Sequence, residues 1–123
     1  MEKKVIVITG ASSGIGKALA KEYAQHGFNV VMAARSTDKL KTLADDLSES
    51  TSVLSVTTDV TKEIDCKQLI EKTIAKFGRI DILINNAGIS MRATFLDMEL
   101  KVMQQVMDVN FWGTVYCTKH ALP

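Results

Sequence analysis

Four short runs of strand-forming residues alternate with helix-forming segments along this chain of 123 residues, and the alternation restricts its fold more than any other feature. The predicted strands are Val5–Thr9, Asn29–Ala34, residues 53–59 and residues 80–86. The first, second and fourth are nearly continuous apolar runs, which suits parallel strands that helices cover on both faces. The pattern therefore predicts βαβ units with right-handed crossovers in one parallel sheet.

The segments between the strands show the periodicity of helices. Residues 15–26 predict a first helix that ends near Gly27, and the third predicted helix ends at Gly78. Apolar positions mark one face of the second and third helices: Leu40, Leu43 and Leu47, and then Leu69, Ile70, Thr73, Ile74 and Phe77. A longer helical pattern follows the fourth strand, at Leu96, Leu100, Met103, Met107 and Phe111.

These elements predict one α/β domain, residues 1–123, with a Rossmann-type doubly wound parallel sheet truncated after the fourth strand and the following helix. A net charge of +1 gives no reason to expect nucleic acid or an anionic membrane as a partner. No apolar run reaches the ~18–20 residues of a membrane span. Cys66 and Cys117 lack metal-ligand spacing, so we expect reduced packing residues, no metal and a cytoplasmic protein.

The segment TGASSGIG, residues 9–16, connects the first strand to the first helix. Gly10 can adopt a turn closed to other residues, Gly14 lets the chain approach a pyrophosphate, and Gly16 lets the helix pack close to the strand. Amides at the start of the helix would then face the phosphates. A tight turn without any ligand is the alternative that this loop alone leaves open.

Three further motifs follow the loop in order: Asp59-Val60 after the third strand, NNAG at residues 85–88 after the fourth, and Asn110 in VMDVN. With the GxxxGxG spacing of the loop, they make the chain resemble the short-chain dehydrogenase/reductase family, and its single-domain members in particular. The resemblance covers all 123 residues. It implies the N-terminal, NAD(P)-binding part of such an enzyme.

The resemblance implies a role for each matched residue. The loop residues would bind the pyrophosphate and its ribose: Gly10, Ser12, Ser13, Gly14, Ile15 and Gly16. Asp59 and Val60 would contact the adenine, with Asp59 accepting from its exocyclic amine. The ribose on the nicotinamide side would be lined by Asn86, Ala87 and Gly88. Asn110 would kink its helix and hold a water of the proton relay.

Each polar residue also has a structural alternative. Asp59 could simply precede a helix that Thr61 caps. Asn85 and Asn86 could be sheet-end residues whose amides bond the backbone. Asn110 could be a satisfied polar residue in the middle of a helix.

The second strand ends in AARS, which bears on the choice of dinucleotide. An acidic residue usually holds a free ribose 2′-hydroxyl at this place, but the family's position for that acid is occupied by Ala34. Arg35 can pair bidentately with a 2′-phosphate, and Ser36 adds a hydroxyl, so NADP is favoured over NAD. Ser13 stands where the family often has a second basic residue, and an arginine merely exposed at a strand end is the alternative.

Tyr116 precedes Lys119 by three residues, on one helix face. Members of the family use a serine and a tyrosine four residues before a lysine to protonate the alkoxide while hydride arrives from the nicotinamide. Tyr116 lies only six residues after Asn110, where the resemblance implies a packing helix. The catalytic serine, tyrosine and lysine are therefore expected to be absent, and Asn110 is the only relay residue present.

Two functions of different class follow. The first is an NADP-dependent oxidoreductase that interconverts a carbonyl and a secondary alcohol of a small molecule; this chain would be its cofactor-binding portion, inactive alone. The second is a catalytically inactive nucleotide-binding module or fragment. In either case the fourth strand would be an unpaired sheet edge, although it lies centrally in the family's complete sheet. We therefore expect either that another chain covers this edge, as in a homo-oligomer, or that a further segment completes the sheet.

Overall fold

The structure is a computed structural model that describes residues 3–12, 14–87 and 100–122. Its strands are β1 Val5–Thr9, β2 Asn29–Ala34, β3 Val53–Thr57 and β4 Ile82–Ile84. Its α-helices are α1 Gly14–Gln25, α2 Thr37–Leu47, α3 Glu63–Phe77, α4 Leu100–Met107 and α5 Gly113–Ala121. A π-helical turn, Asp108–Trp112, joins α4 to α5.

All four strands are parallel and lie in the order β3-β2-β1-β4. β1 pairs along its whole length with β2, from Val5 opposite Asn29 to Thr9 opposite Ala33. On its other side β1 pairs with the three residues of β4. This arrangement confirms the predicted parallel α/β sheet.

Each face of the sheet has its own apolar layer, because alternate side chains of a strand point to opposite faces. One layer packs the sheet against α1 and α2, and its members include Ile6, Ile8, Ala20, Val30, Met32, Leu40 and Leu43. The other packs it against α3 and α5, and its members include Val5, Val7, Val31, Ala33, Val56, Leu69 and Cys117. Helices on both faces explain why β1 and β2 are apolar at nearly every position.

The two cysteines, distant in sequence, meet where α3 packs against α5. Both thiols are free and fully buried in the second layer. The Cys66 thiol also donates a weak bond to the carbonyl of Val60 at 3.6 Å. The hydrogen bond with the Cys117 thiol, and then burial, raise the pKa of Cys66 above its ordinary value. They are packing residues, as predicted.

Two strands are shorter than predicted. β3 ends at Thr57 and not at residue 59, because the backbone N–H of Asp59 donates to the side chain of Asp65 at 3.0 Å. β4 begins at Ile82 and not at residue 80, because Asp81 is already engaged with the start of β1. Its carboxylate accepts from the N–H of Val5 at 2.7 Å and its own N–H donates to the Val5 carbonyl at 2.9 Å.

The final helical pattern differs from a single continuous helix. Since the π turn interrupts it, its apolar residues no longer form one buried stripe. Leu100 is 80% exposed, and Met107 and Phe111 are about half exposed. Ile74 of α3, which the pattern placed on the apolar face, is also exposed. Leu96 lies outside the described residues.

No helix in residues 3–12, 14–87 or 100–122 is both long and apolar enough to cross a bilayer. Within the same ranges β4 pairs only with β1, so its outer edge has no neighbouring strand.

Candidate functional site at the carboxyl edge of the sheet

A groove of about 290 Å³ lies beyond the carboxyl ends of the strands. The strand order reverses between β1 and β4, and ligands of open α/β sheets bind at such a switch point. The residues that line the groove end or follow the four strands, or belong to the first turn of α2 or to the π turn: Gly10, Ser12, Ala33, Ala34, Arg35, Ser36, Lys39, Thr58, Asp59, Val60, Ala87 and Val109.

The hydroxyl of Thr9 joins the ends of β1 and β4. Its oxygen accepts from the backbone N–H groups of Asn86 and Ala87, both at 3.0 Å. It also donates to the carbonyl of Ile84 at 3.4 Å. Because Thr9 is only 2% exposed, water cannot replace these bonds. Thr9 thus holds the segment after β4 against the glycine loop.

Two glycines of the loop allow contacts that a side chain would block. Gly10 has a φ of +65°, and a Cβ there would lie 2.8 Å from the Cα of Ala87. A Cβ on Gly16 would lie 2.6 Å from the amide nitrogen of Asn86, and closer still to the carbonyl oxygen of Gly10. The predicted turn at Gly10 and the close approach at Gly16 are confirmed.

The first turn of α1 is open to a ligand. It contains no acidic residue, so the positive end of the helix dipole is not compensated there. Space is open around the position that a Cβ on Gly14 would take. Ile15 is 72% exposed, although it is a large apolar residue. Ser12 lines the groove, whereas Ser13 lies outside the described residues.

The two asparagines after β4 are engaged within the protein. The side-chain amide of Asn86 donates to the carbonyl of Gly10 at 3.2 Å. That of Asn85 donates to the hydroxyl of Thr118 at 3.2 Å and so ties the end of β4 to α5. The structural alternative therefore holds for Asn86, whose amide bonds the backbone, while the neighbouring Ala87 lines the groove. Gly88 lies outside the described residues.

Arg35 and Ser36 follow β2 directly and line the groove. Arg35 is exposed and forms no ion pair with any residue that the structure describes. The Ser36 oxygen caps α2 by accepting from the N–H of Lys39 at 3.4 Å, which leaves its own proton free to donate. Ala34, in the place of an acid, is buried.

Asp59 enters the groove from the end of β3. Its carboxylate accepts from the N–H and the hydroxyl of Thr61, at 3.0 and 2.6 Å. Burial raises the pKa of Asp59, but these hydrogen bonds and the charges of Arg35 and Lys62 outweigh burial, so the pKa is below its usual value. The N-cap of α3 is Lys62, without a side-chain bond, so a helix capped by Thr61 is wrong.

Asn110 lies in the π turn and is exposed, while the preceding Val109 lines the groove. The Asn110 carbonyl accepts from the Thr114 hydroxyl at 3.3 Å. A π turn is an irregularity of the helix, which agrees with the kink that the resemblance implies.

Tyr116 and Lys119 do not form a catalytic pair in the groove. Tyr116 packs at the border of the second apolar layer, with its ring centroid 6.1 Å from that of Trp112. The ammonium of Lys119 lies 4.0 Å from the carboxylate of Glu63, and His120 contacts the same carboxylate at 3.1 Å. Neither Tyr116 nor Lys119 lines the groove.

The sequence patterns missed four residues of the site. Thr9 opens the glycine segment, but its bonding role could not be predicted because its partners are about 77 positions away. Thr58 bonds the carbonyl of Val56 at 3.0 Å and lines the groove from a buried position. Val109 could not be found, because in the sequence it looks like any apolar residue of a packing helix. Lys39 could have been found, since it lies in the first turn of α2, directly after Arg35 and Ser36.

Comparison with known proteins agrees with this geometry. The sequence profile of the short chain dehydrogenase family matches residues 4–123, and the chain therefore belongs to that family. It is 45% identical over 123 residues to 11-beta-hydroxysteroid dehydrogenase 1A of Arabidopsis thaliana, and equally to 11-beta-hydroxysteroid dehydrogenase A of Sesamum indicum. These alignments cover 98% of this chain and 35% of each relative.

Two solved structures share the fold closely. The alcohol dehydrogenase of the archaeon Thermococcus sibiricus, complexed with 5-hydroxy-NADP, is 32% identical with a TM-score of 0.95, over 98% of this chain and 52% of that one. The L-sorbose reductase of Gluconobacter frateurii, complexed with NADPH and L-sorbose, is 34% identical with a TM-score of 0.94, over 100% and 48%. The chain thus spans about a third of the curated relatives and half of these enzymes.

Proposed function

We propose that this chain is the NADP-binding part of a short-chain oxidoreductase that interconverts a carbonyl and a secondary alcohol. The observation that carries the proposal is the position of Arg35. Its guanidinium follows β2 beside Ala34, which stands in the place of an acid, forms no ion pair within 4.0 Å among the described residues, and lines the same groove as Gly10 and Ser12. A bidentate guanidinium suits a 2′-phosphate, whereas a free ribose hydroxyl is usually met by a carboxylate.

In this proposal the dinucleotide extends from the glycine loop to the end of β3. Gly10 and Gly16 leave a cradle that a Cβ would fill, and the first turn of α1 offers free amides without a competing carboxylate. Ser12, Gly14 and Ile15 belong to the same phosphate end in this proposal. At the adenine end, the charged carboxylate of Asp59 is ready to accept from an exocyclic amine, and Val60 adds an apolar contact.

The residues of this chain would bind and orient the cofactor. Ala87 lines the groove beside Gly10 and, with Asn86, is proposed to border the nicotinamide-side ribose. When bound, the nicotinamide supplies or accepts the hydride. Asn110, next to the groove-lining Val109, is proposed to support a proton relay through bound water. The proton donor itself is expected from a tyrosine and lysine that these 123 residues do not provide.

The solved relatives support a 2′-phosphorylated cofactor. The enzyme of Thermococcus sibiricus is complexed with 5-hydroxy-NADP and that of Gluconobacter frateurii with NADPH. Both act on small alcohols or sugars according to their names, so we propose a small-molecule substrate for this protein too. We also propose that the exposed apolar residues of α4 and α5 and the free edge of β4 favour a homo-oligomer. The cytoplasmic location stays a prediction.

A second candidate function is a nucleotide-binding module that catalyses no reaction. Tyr116 and Lys119 lie outside the groove, which favours this candidate for the 123 residues alone. The two candidates share the cofactor site and differ only in turnover. We therefore expect no carbonyl reduction by this chain in the presence of NADPH.

Titration of the chain with NADPH and with NADH, followed by nicotinamide fluorescence, tests the proposed cofactor. We expect selective binding of NADPH, with an affinity at least about tenfold higher than for NADH, because one charge-assisted bidentate pair is worth roughly that factor. Equal affinity for both would contradict the assignment to NADP. Binding of neither would contradict a preformed cofactor site in this chain.

A further inference from the structure

Lys39 lies where two depressions of the surface meet. It lines the groove together with Arg35 and Ser36. It also lines a neighbouring cleft of about 470 Å³ between the start of α1 and α2, which shares Ser12 with the groove. Lys39 therefore borders both the groove that Arg35 and Ser36 line and the cleft that Ser12 and Gly14 of the glycine loop line.

The position of Lys39 in α2 is unfavourable for helix stability. Ser36 is the N-cap, so Lys39 is the third residue of the helix. A glutamate or glutamine at this position would complete a capping box with the N-cap serine. A cation in the first turn instead faces the positive end of the helix dipole. A residue that departs from the local rule points to a role outside the helix.

Lys39 and Arg35 both line the groove, and neither forms an ion pair within 4.0 Å among the described residues. The cleft that Lys39 also lines contains two acidic residues, Asp38 and Asp46, and both are exposed.

We infer that Lys39 is a second specificity-determining residue for the 2′-phosphate, and that it acts beside Arg35 and the Ser36 hydroxyl. A phosphate monoester carries a charge of about −1.5 to −2 at pH 7 and offers three acceptor oxygens, so one guanidinium neutralises only part of it. An ammonium is a compact cation that can meet the oxygens that a bidentate arginine leaves free. This inference rests on the proposed binding of NADP and adds a residue to it.

The test measures the dissociation constants of NADPH and NADH for the chain and three variants, because these two ligands differ only in the 2′-phosphate. Lys39→Gln is expected to weaken NADPH about tenfold and to change NADH by less than about twofold, which is a difference of about 1.4 kcal/mol. Lys39→Glu is expected to weaken NADPH further while it completes the capping box and raises the midpoint of thermal unfolding. Lys41→Gln, on an exposed residue of the same helix, is the charge-matched control and should change neither.

Three results would overturn the inference. If the parent chain prefers NADPH and the Lys39→Gln variant shows the same preference, Lys39 does not contact the phosphate. The proposed function then stands. If Lys39→Gln weakens both ligands equally, Lys39 acts only on the structure of the groove. If the unchanged chain has no preference for NADPH, the proposed cofactor is wrong and the inference fails with it.

Discussion

The two ends of the groove are built in different ways. At the glycine end, buried hydrogen bonds and missing side chains set the geometry: the Thr9 hydroxyl bonds three backbone groups, and Gly16 packs against Gly10. At the adenosine end, charged residues follow the ends of β2 and β3: the exposed Arg35, which forms no ion pair within 4.0 Å among the described residues, and the half-buried Asp59. Substitutions at the glycine end should therefore act on folding, and those at the adenosine end on affinity and cofactor choice.

The largest effect is expected for Gly16→Ala. Helix propensity alone would favour alanine by about 1 kcal/mol. The new Cβ would instead collide with the Gly10 carbonyl and the Asn86 amide, so we expect a loss of roughly 3 kcal/mol in the free energy of unfolding. Urea unfolding measures the change. Gly27→Ala, where the space is open and only a φ of +82° opposes the change, is the control, at about 1 kcal/mol. Stabilisation by Gly16→Ala would contradict the close contact.

Thr9→Val should destabilise the chain by about 2 kcal/mol, because it keeps the shape of the residue but removes the acceptor of two backbone N–H groups. Chemical denaturation of both proteins gives the value. The exposed Thr42, whose hydroxyl bonds the Asp38 carbonyl at 3.1 Å, provides the matched Thr→Val control, which should stay within about 0.5 kcal/mol. If the two variants lose the same stability, Thr9 does not hold the two strand ends together.

Arg35→Asp should leave the stability nearly unchanged and reverse the choice of cofactor. We expect the ratio of NADPH to NADH affinity to fall about 100-fold, because a pairing cation becomes a repelling anion beside the 2′-phosphate. Fluorescence titration with both dinucleotides measures the ratio. Lys21→Asp, a charge reversal on the exposed side of α1, is the control and should not alter it. If the ratio is unchanged in Arg35→Asp, Arg35 does not recognise the 2′-phosphate, and the argument for NADP as the cofactor fails.

Asp59→Asn is expected to have the smallest effect, which depends on pH. Because the folded-state pKa of Asp59 is lowered, the carboxylate stabilises the fold above its unfolded pKa of about 4, and this contribution is lost as the pH falls through the folded pKa. The variant should therefore be less stable at pH 7 by under about 1 kcal/mol, given solvent screening, and equal to the parent at strongly acid pH. Unfolding curves across this pH range measure the difference in the free energy of unfolding between parent and variant. A difference that stays constant with pH would contradict the lowered pKa of Asp59.

Continuous apolar patterns predicted the fold well. β1 and β2 have the predicted bounds because helices cover both of their faces, so nearly every residue is apolar. The bounds of β3 and β4 were less accurate, because side-chain hydrogen bonds occupy their ends: the backbone N–H of Asp59 donates to the Asp65 carboxylate, and the Asp81 carboxylate accepts from the backbone N–H of Val5. The helical period after β4 did not reveal the π turn at residues 108–112, because a π turn leaves no hydrophobic signature.

The motifs predicted which residues gather at the site, but not how they are held. Gly10, Arg35 and Asp59 follow three different strands, and a parallel sheet brings such strand ends together. The contribution of Thr9 depends on the neighbouring strand β4, and no local pattern announces it. The contact of Cys66 with Cys117 likewise depends on the packing of α3 on α5.

Amide hydrogen exchange of the chain with and without NADPH tests most directly whether one ligand occupies both ends of the groove. We predict slower exchange at residues 10–16 and at residues 35–39, with little change along the exposed surface of α4. Protection at both ends would show that the glycine loop and the end of β2 bind the same molecule. Protection at neither end, or only along α4 and α5, would contradict a dinucleotide site at the carboxyl edge of this sheet.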